Sequence, residues 1–409
     1  MLSRSRVHRR MTARWCGAVP FSRPLRFPTL GLGLLGALFI LTPSHATSGQ
    51  EPDPQQLFRD ALEAQQHGDA GLAVRRYEEL IRLHPDMVEA RANLGTALVS
   101  LGRFDEAASQ FRAALAQAPS NLDLRLDLAF AYYKKGDLSD AAEQFSSLHE
   151  AEPGDVRIAT LLGDCYARLG RDSEVISVLT PIEAANPHNL ALAWSLGYAL
   201  IRAGRAQEGV RRIERVAQQG HSAQAYMFAA QTYLKLGALD QARRDLDATM
   251  RLNAHLPGLY TLRGMIMDGY GDEKAAMAAF EKALEANPDD VEAHTRLGEL
   301  LYLERKLDAA RLHLDRALGI DPTLPHARYV LALVERAQGR ADAAVKDLEK
   351  LARDDPDWLA PRVELAALYY RMHRPEDGAK EKKIVDRLTE EQRQRELKSH
   401  IISPQIPLR

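Results

Sequence analysis

Lys134, Arg168, Arg202 and Lys235 recur at intervals of 34, 34 and 33 residues, and the segments that carry them also hold Phe130, Tyr133, Trp194, Tyr198 and Met227. Cations held in register bind carboxylates through charge-assisted hydrogen bonds, and aromatic side chains beside them supply the apolar contact that recognition surfaces use. The chemistry within reach of these residues is capture of an extended chain, with no bond made or broken.

Other reactive residue types are scattered. The thirteen histidines include no pair three or four residues apart, so no single helix offers two imidazoles to a metal ion. The motifs G-x-x-x-x-G-K, H-E-x-x-H and G-x-S-x-G are absent. Gly31, Gly33 and Gly36 spell G-x-G-x-x-G, but no strand precedes them and no phosphate-cradling turn can form. Carboxylate pairs such as Asp289-Asp290 and Asp354-Asp355 lie beside prolines, where they serve as solvated turns and helix caps. Beyond the first fifty residues only Cys165 remains, and a lone thiol with no oriented base reads as a small buried side chain. The expectation is no enzyme, no metal and no cofactor.

The elements that position the cations are legible from proline. Pro85, Pro119, Pro153 and Pro187 fall 34 residues apart, and Pro288, Pro322 and Pro356 resume the step. Calling each proline place 32 sets unit starts at Pro54, Val88, Leu122, Val156, Leu190, Ala223, Pro257, Val291, Pro325 and Leu359. Place 8 then holds only Ala or Gly, and place 20 only Ala or Gly apart from Val175. Small residues at two fixed places let a pair of antiparallel helices approach closely. Place 24 carries the bulk that fills the gap: Tyr77, Phe111, Phe145, Leu179, Ile213, Leu246, Phe280, Leu314 and Leu348. Place 15 is glycine in most units, where a helix end needs a left-handed residue, with Arg305 and His373 as exceptions.

These columns resemble the tetratricopeptide repeat family, clearest in ANLGTALVSLGRFDEAASQFRAAL from Ala92 to Leu115 and RLGELLYLERKLDAARLHLDRAL from Arg296 to Leu318. The resemblance implies an all-α, right-handed superhelical solenoid of about ten helix-turn-helix units, running from 54 to 390. It implies a charged capping helix to about 399 and a loose tail over 400–409. It also implies that the first helix of each unit lines a concave groove into which places 2, 5, 9, 12 and 13 point. Phe130, Tyr133, Lys134, Arg168, Trp194, Tyr198, Arg202, Met227 and Lys235 are thus the candidate partner-binding residues. The competing assignment for the cations is favourable interaction with helix C-termini. The Lys and Asn clamp of chaperone-binding members does not transfer, because Phe58 and Leu62 stand in its place.

The first fifty residues differ in kind. Seven arginines precede any acid, and the apolar run LGLGLLGALFIL, Leu30 to Leu41, ends before Ser44-His45-Ala46. That is the pattern of a secretory signal peptide over 1–46, followed by a linker over 47–53. The run is short of the roughly 20 residues a spanning helix needs. Removing the leader leaves 47 Lys and Arg against 56 Asp and Glu, a net charge of −9 with His neutral. Such a surface argues against general nucleic-acid binding.

The expected function is a non-catalytic scaffold or adaptor that binds an acidic or carboxylate-bearing peptide or protein in the groove. Its expected setting is an envelope, secretion or polysaccharide-export assembly in the periplasm or at the cell envelope. Membrane contact comes only through an uncleaved leader. The rivals are a self-assembling structural protein and a non-catalytic subunit of an envelope enzyme complex.

Overall fold

Side-chain caps set where many of the helices begin. The structure, a computed structural model, describes residues 53–402, with side chains to 395. Asp53, Asp69, Asn121, Asp155, Asn189, Ser222, Asp272 and Asp290 each accept a hydrogen bond from an amide of the first turn that follows, satisfying donors that a helix leaves open.

The first two units are α1 (Pro54–Gln66) with α2 (Ala70–Leu83), and α3 (Val88–Ser100) with α4 (Phe104–Gln117). Next come α5 (Leu122–Lys135) with α6 (Leu138–Ala151), and α7 (Val156–Arg168) with α8 (Asp172–Ala185). The middle units are α9 (Leu190–Arg202) with α10 (Ala206–Gln219), and α11 (Ala223–Lys235) with α12 (Leu239–Leu252). They are followed by α13 (Leu259–Gly269) with α14 (Glu273–Ala286), and α15 (Val291–Leu303) with α16 (Leu307–Ile320). The last units are α17 (Pro325–Ala337) with α18 (Ala341–Asp354), and α19 (Leu359–Arg371) with α20 (Pro375–Ile402). Among the described residues there are twenty helices and no strand.

Nine of the ten unit starts read from the proline step are first residues of a helix. The exception is α13, which begins at Leu259 because Gly258 takes a left-handed φ of 78° at its N-cap. Each helix packs on the next, and the chain folds as a series of neighbour contacts, the one-dimensional logic of a repeat array.

The place-24 side chains form the spine of the core: all nine are at most 1% exposed. Opposite them, three of the place-8 glycines leave no room for a side chain. A Cβ on Gly95 would stand 2.6 Å from the Phe111 ring, on Gly264 2.4 Å from Phe280, and on Gly298 2.7 Å from Leu314. Between the helices of a unit, Gly68, Gly102, Gly136, Gly170, Gly204, Gly237, Gly271 and Gly339 have φ between 70° and 95°. Arg305 and His373 keep the same left-handed turn at φ 63° and 61°. The turn geometry therefore belongs to the repeat, and these two residues accept its cost.

A polar clamp adds to the packing. Arg91, Arg125, Arg328 and Arg362, all at place 4, donate to the carbonyls of Pro85, Pro119, Pro322 and Pro356. Each also donates to a side chain nineteen residues on: Gln110, Gln144, Asp347 and Glu381. The clamp ties the inter-unit turn to both helices of the unit, and buried polar groups paired in this way cost little. The expected leader, linker over 47–52 and tail residues 403–409 lie outside the described residues; α20 itself continues to Ile402.

Candidate functional site

The four cations of the sequence ladder all sit at the ends of first helices. Lys134 lies in the last turn of α5, and Arg168, Arg202 and Lys235 are the final residues of α7, α9 and α11. Lys134 and Lys235 are exposed. The arginines are engaged within the chain. Arg202 Nε is 3.1 Å from Asp172 Oδ2, and its guanidinium lies 5.9 Å from the centre of the Tyr198 ring. Arg168 sits 5.5 Å over the Tyr133 ring and 3.7 Å from Asp164, whose Oδ2 also accepts from the Tyr133 hydroxyl at 2.7 Å. Tyr133, Asp164 and Arg168 thus form one network bridging α5 to α7.

The aromatic candidates divide into two groups. Phe130 meets the core ring of Phe145 edge-on at 5.7 Å, and Tyr133 meets the same ring at 6.4 Å. Both are half-buried and complete the packing of their own unit. Trp194 and Tyr198 of α9 instead share a third ring, Phe228 of α11, at 5.5 and 5.7 Å. These three half-buried rings form a shelf across two units. Phe228 was absent from the sequence-derived set because it stands at place 6, where Asn93 is the counterpart in the second unit; reading that column as groove-facing would have found it. Met227 differs from expectation: it is 8% exposed and packs in the core with Leu246, Leu259 and Leu262.

Acids accompany the cations. Burial, with a smaller contribution from Asp123, pushes the Asp127 carboxyl up to about 6, and both stand on α5 ahead of Lys134. Asp172 is also raised, by burial against the opposing pull of Arg202. The Cys165 thiol is fully buried and pushed up to about 12 by that burial, which keeps it protonated and inert.

Two buried carboxylates escaped the sequence reading. Asp245 is 3% exposed and Glu335 is 6% exposed, and each has one oxygen without a hydrogen-bond partner among the described residues. Asp245 stands at the clamp's far end in its unit, where place 4 is Tyr226, so no place-4 arginine meets it and only Arg244, 3.5 Å from Oδ1, pairs with it. Burial, then the Glu214 charge, push its carboxyl up to about 6 against the pull of Arg244. A folded-state pKa above the unfolded one stabilises only at low pH, and this contribution is lost as pH rises through about 6. Asp245→Asn is therefore expected to stabilise the protein at neutral pH by about 2 kcal/mol, with the gain disappearing near pH 4. Urea melts of variant and parent at both pH values check this, and an equal midpoint difference at the two would refute it.

His294 and His313 also meet, with Nδ1 atoms 2.9 Å apart. Nineteen residues separate them, a spacing that no single-helix rule inspects. Among the described residues no group of three or more His, Cys, Asp or Glu could hold a metal ion, and no helix is long and apolar enough to cross a membrane.

Ten stacked antiparallel helix pairs, with small residues at their crossings and a ring-and-cation surface on their first helices, define a helical repeat protein of the kind that binds other proteins. The chain belongs to the tetratricopeptide repeat family: models of that repeat match residues 58–121 and 271–325, 98–165 and 134–199, and 326–357, together more than half of the chain. A tetratricopeptide repeat protein from Parabacteroides merdae has a similar fold, with a TM-score of 0.50 at 15% identity over 60% of this chain and 98% of that one. Superkiller protein 3 of Schizosaccharomyces pombe is 26% identical over 134 residues, 33% of this chain. BBSome complex member BBS4 of Bos taurus is 31% identical over 121 residues, 29% of this chain. The matches span only 9% and 23% of those two relatives. Proteins of this family mediate protein–protein interactions and are in general non-catalytic scaffolds.

Proposed function

We propose that the protein is a non-catalytic adaptor that takes an extended, acidic peptide segment of a partner protein along its first helices from α5 to α11. The observation that carries this reading is the Trp194, Tyr198 and Phe228 shelf, flanked in sequence by the exposed Lys134 and Lys235. Ring faces and edges at half burial offer apolar anchoring at little entropic cost, and the lysines offer charge that no ion pair among the described residues neutralises. Arg168 and Arg202 act differently: each is tied to an acid of its own chain, so it shapes the surface around the rings. The arginine-rich, acid-free leader supports export to a periplasm or cell envelope, and an envelope, secretion or polysaccharide-export assembly as the setting.

The test is binding to a panel of ten-residue peptides graded from acidic to basic, each with a central aromatic or leucine. Acidic members are expected to bind, and salt to weaken them. Trp194→Ala with Tyr198→Ala should reduce affinity about thirtyfold with helicity unchanged, and Lys134→Glu with Lys235→Glu should remove the salt dependence. Equal binding of acidic and basic peptides, or no loss in the ring variant, would overturn the proposal.

A further inference from the structure

In four units the polar clamp at places 4 and 23 is built from arginine and an amide or carboxylate, groups that hold their bonding character across the physiological pH range. The unit of α15 and α16 is different: His294 fills the arginine's place and His313 the acceptor's. The bonding pattern is otherwise kept, since His294 Nε2 lies 3.1 Å from the Pro288 carbonyl and its Nδ1 lies 2.9 Å from His313 Nδ1.

This geometry fixes the protons. A carbonyl only accepts, so His294 Nε2 carries its hydrogen and donates to Pro288. The Nδ1 of a neutral imidazole with Nε2–H is an acceptor, so His313 Nδ1–H donates to it. A proton added to His294 must go on Nδ1, where it faces the His313 donor with no acceptor between them. His294 is 9% exposed, so water cannot replace the lost bond cheaply.

We propose that this histidine pair is a proton-operated joint: acidification breaks the contact between α15 and α16 and loosens the array at that unit, while the units clamped by arginine stay closed. The joint does not depend on the peptide-binding reading.

The charged groups around the pair are engaged elsewhere or exposed, except Glu335 of α17, which is buried with one oxygen unpartnered among the described residues. From the preceding turn, Asp289 pairs with Arg316 of α16, and Asp290 accepts from the Thr261 hydroxyl of α13 and the Ala293 amide. On α15 itself, Arg296 pairs with Glu292 and Glu299, and on α16 Arg311 pairs with Asp315. From α17, Glu335 feels Asp347, Arg311 and Asp315, Arg328 bonds to Asp347, and His326 bonds to Glu299. On α14, Glu281, Lys282 and Glu285 are exposed. Among the described residues no carboxylate is bonded to either imidazole, so no ion pair compensates a second positive charge. Burial and the His294 charge hold His313 below its usual 6.5. With the folded value below the unfolded one, the unfolded chain binds more protons at acid pH, so stability falls as pH drops through 6.5 and below.

Amide hydrogen exchange on the full chain, corrected for intrinsic rates and followed at about pH 7.5 and about pH 5.5, tests the joint. Protection of α15 and α16 is expected to fall about tenfold on acidification relative to α3 and α4, whose clamp is Arg91 and Gln110. His294→Arg with His313→Gln installs the pair used in two other units and should abolish the difference. Imidazole nitrogen NMR of the unmodified protein gives an independent reading that needs no variant: one ring should be protonated at Nε2 and the other at Nδ1 at neutral pH. Parallel protection changes in both units, or two rings with the same tautomer that titrate independently, would overturn the proposal.

Discussion

Gly209→Ala is expected to destabilise the protein by about 3 kcal/mol, the largest effect of any single added methyl group in the array. A Cβ at Gly209 would stand 2.4 Å from the carbonyl oxygen of Gly197 and 2.7 Å from Ile201 Cγ1. The first of these obstacles is backbone, in the middle of α9, and cannot turn aside as a side chain can. Relief requires α9 and α10 to separate, which opens the contact that buries Ala193, Val210 and Ile213. Gly163→Ala is the matched control, because its Cβ would meet only the flexible end of Leu179, at 3.1 Å. Gly319→Ala is a second control, with nothing within 4 Å inside α16, and a helical glycine replaced in open space gains about 0.5–1 kcal/mol. Thermal and urea unfolding of the three variants should rank them in this order. Equal midpoints for Gly209→Ala and Gly163→Ala would show that the helices crossing there are not held at the separation described.

Arg362→Ala comes next, with an expected loss of about 3 kcal/mol. Its side chain is 10% exposed and holds three helices together. Nε donates to the Pro356 carbonyl at 2.9 Å, Nη2 to the Ala352 carbonyl at 2.9 Å, and Nη1 to Glu381 Oε2 of α20 at 2.8 Å. Truncation leaves a half-buried carboxylate and two carbonyls without donors. The double replacement Arg362→Met with Glu381→Leu should recover much of the loss, because an apolar pair of similar volume removes both charges together. Arg91→Ala, whose side-chain partner is the neutral Gln110, should cost only about 1 kcal/mol. These values come from urea unfolding; a double variant no more stable than Arg362→Ala would mean that the contact acts through shape and not through charge.

The clamp shows where local reading stops. Gly102 and Phe111 could be assigned because a turn and a core position each have a residue preference tied to a fixed place in the period. Arg91 with Gln110, His294 with His313 and the half-satisfied Asp245 could not be assigned in that way. Their partners lie nineteen residues away on the second helix, or are missing altogether, and polar types at such places read equally well as solvated surface. Met227 failed for a related reason: its place in the period faces outward in the fifth unit, as Trp194, yet here the side chain packs into the core with Leu246, Leu259 and Leu262. Phe228 became a member of the ring shelf only when α9 and α11 were set side by side.

Period, turn chemistry and the alternation of small and large residues were determined by the sequence alone, because each unit contacts its neighbours through the same few places and so must repeat the same few residue types. Which charges neutralise one another was decided only by the tertiary structure. Arg202 looks like Lys134 and Lys235 in the chain, yet it lies against Asp172 of the preceding unit while the lysines are exposed. Electrostatic pairing depends on distance in space between side chains of different units, and a repeat period specifies the places of those side chains without specifying what faces them.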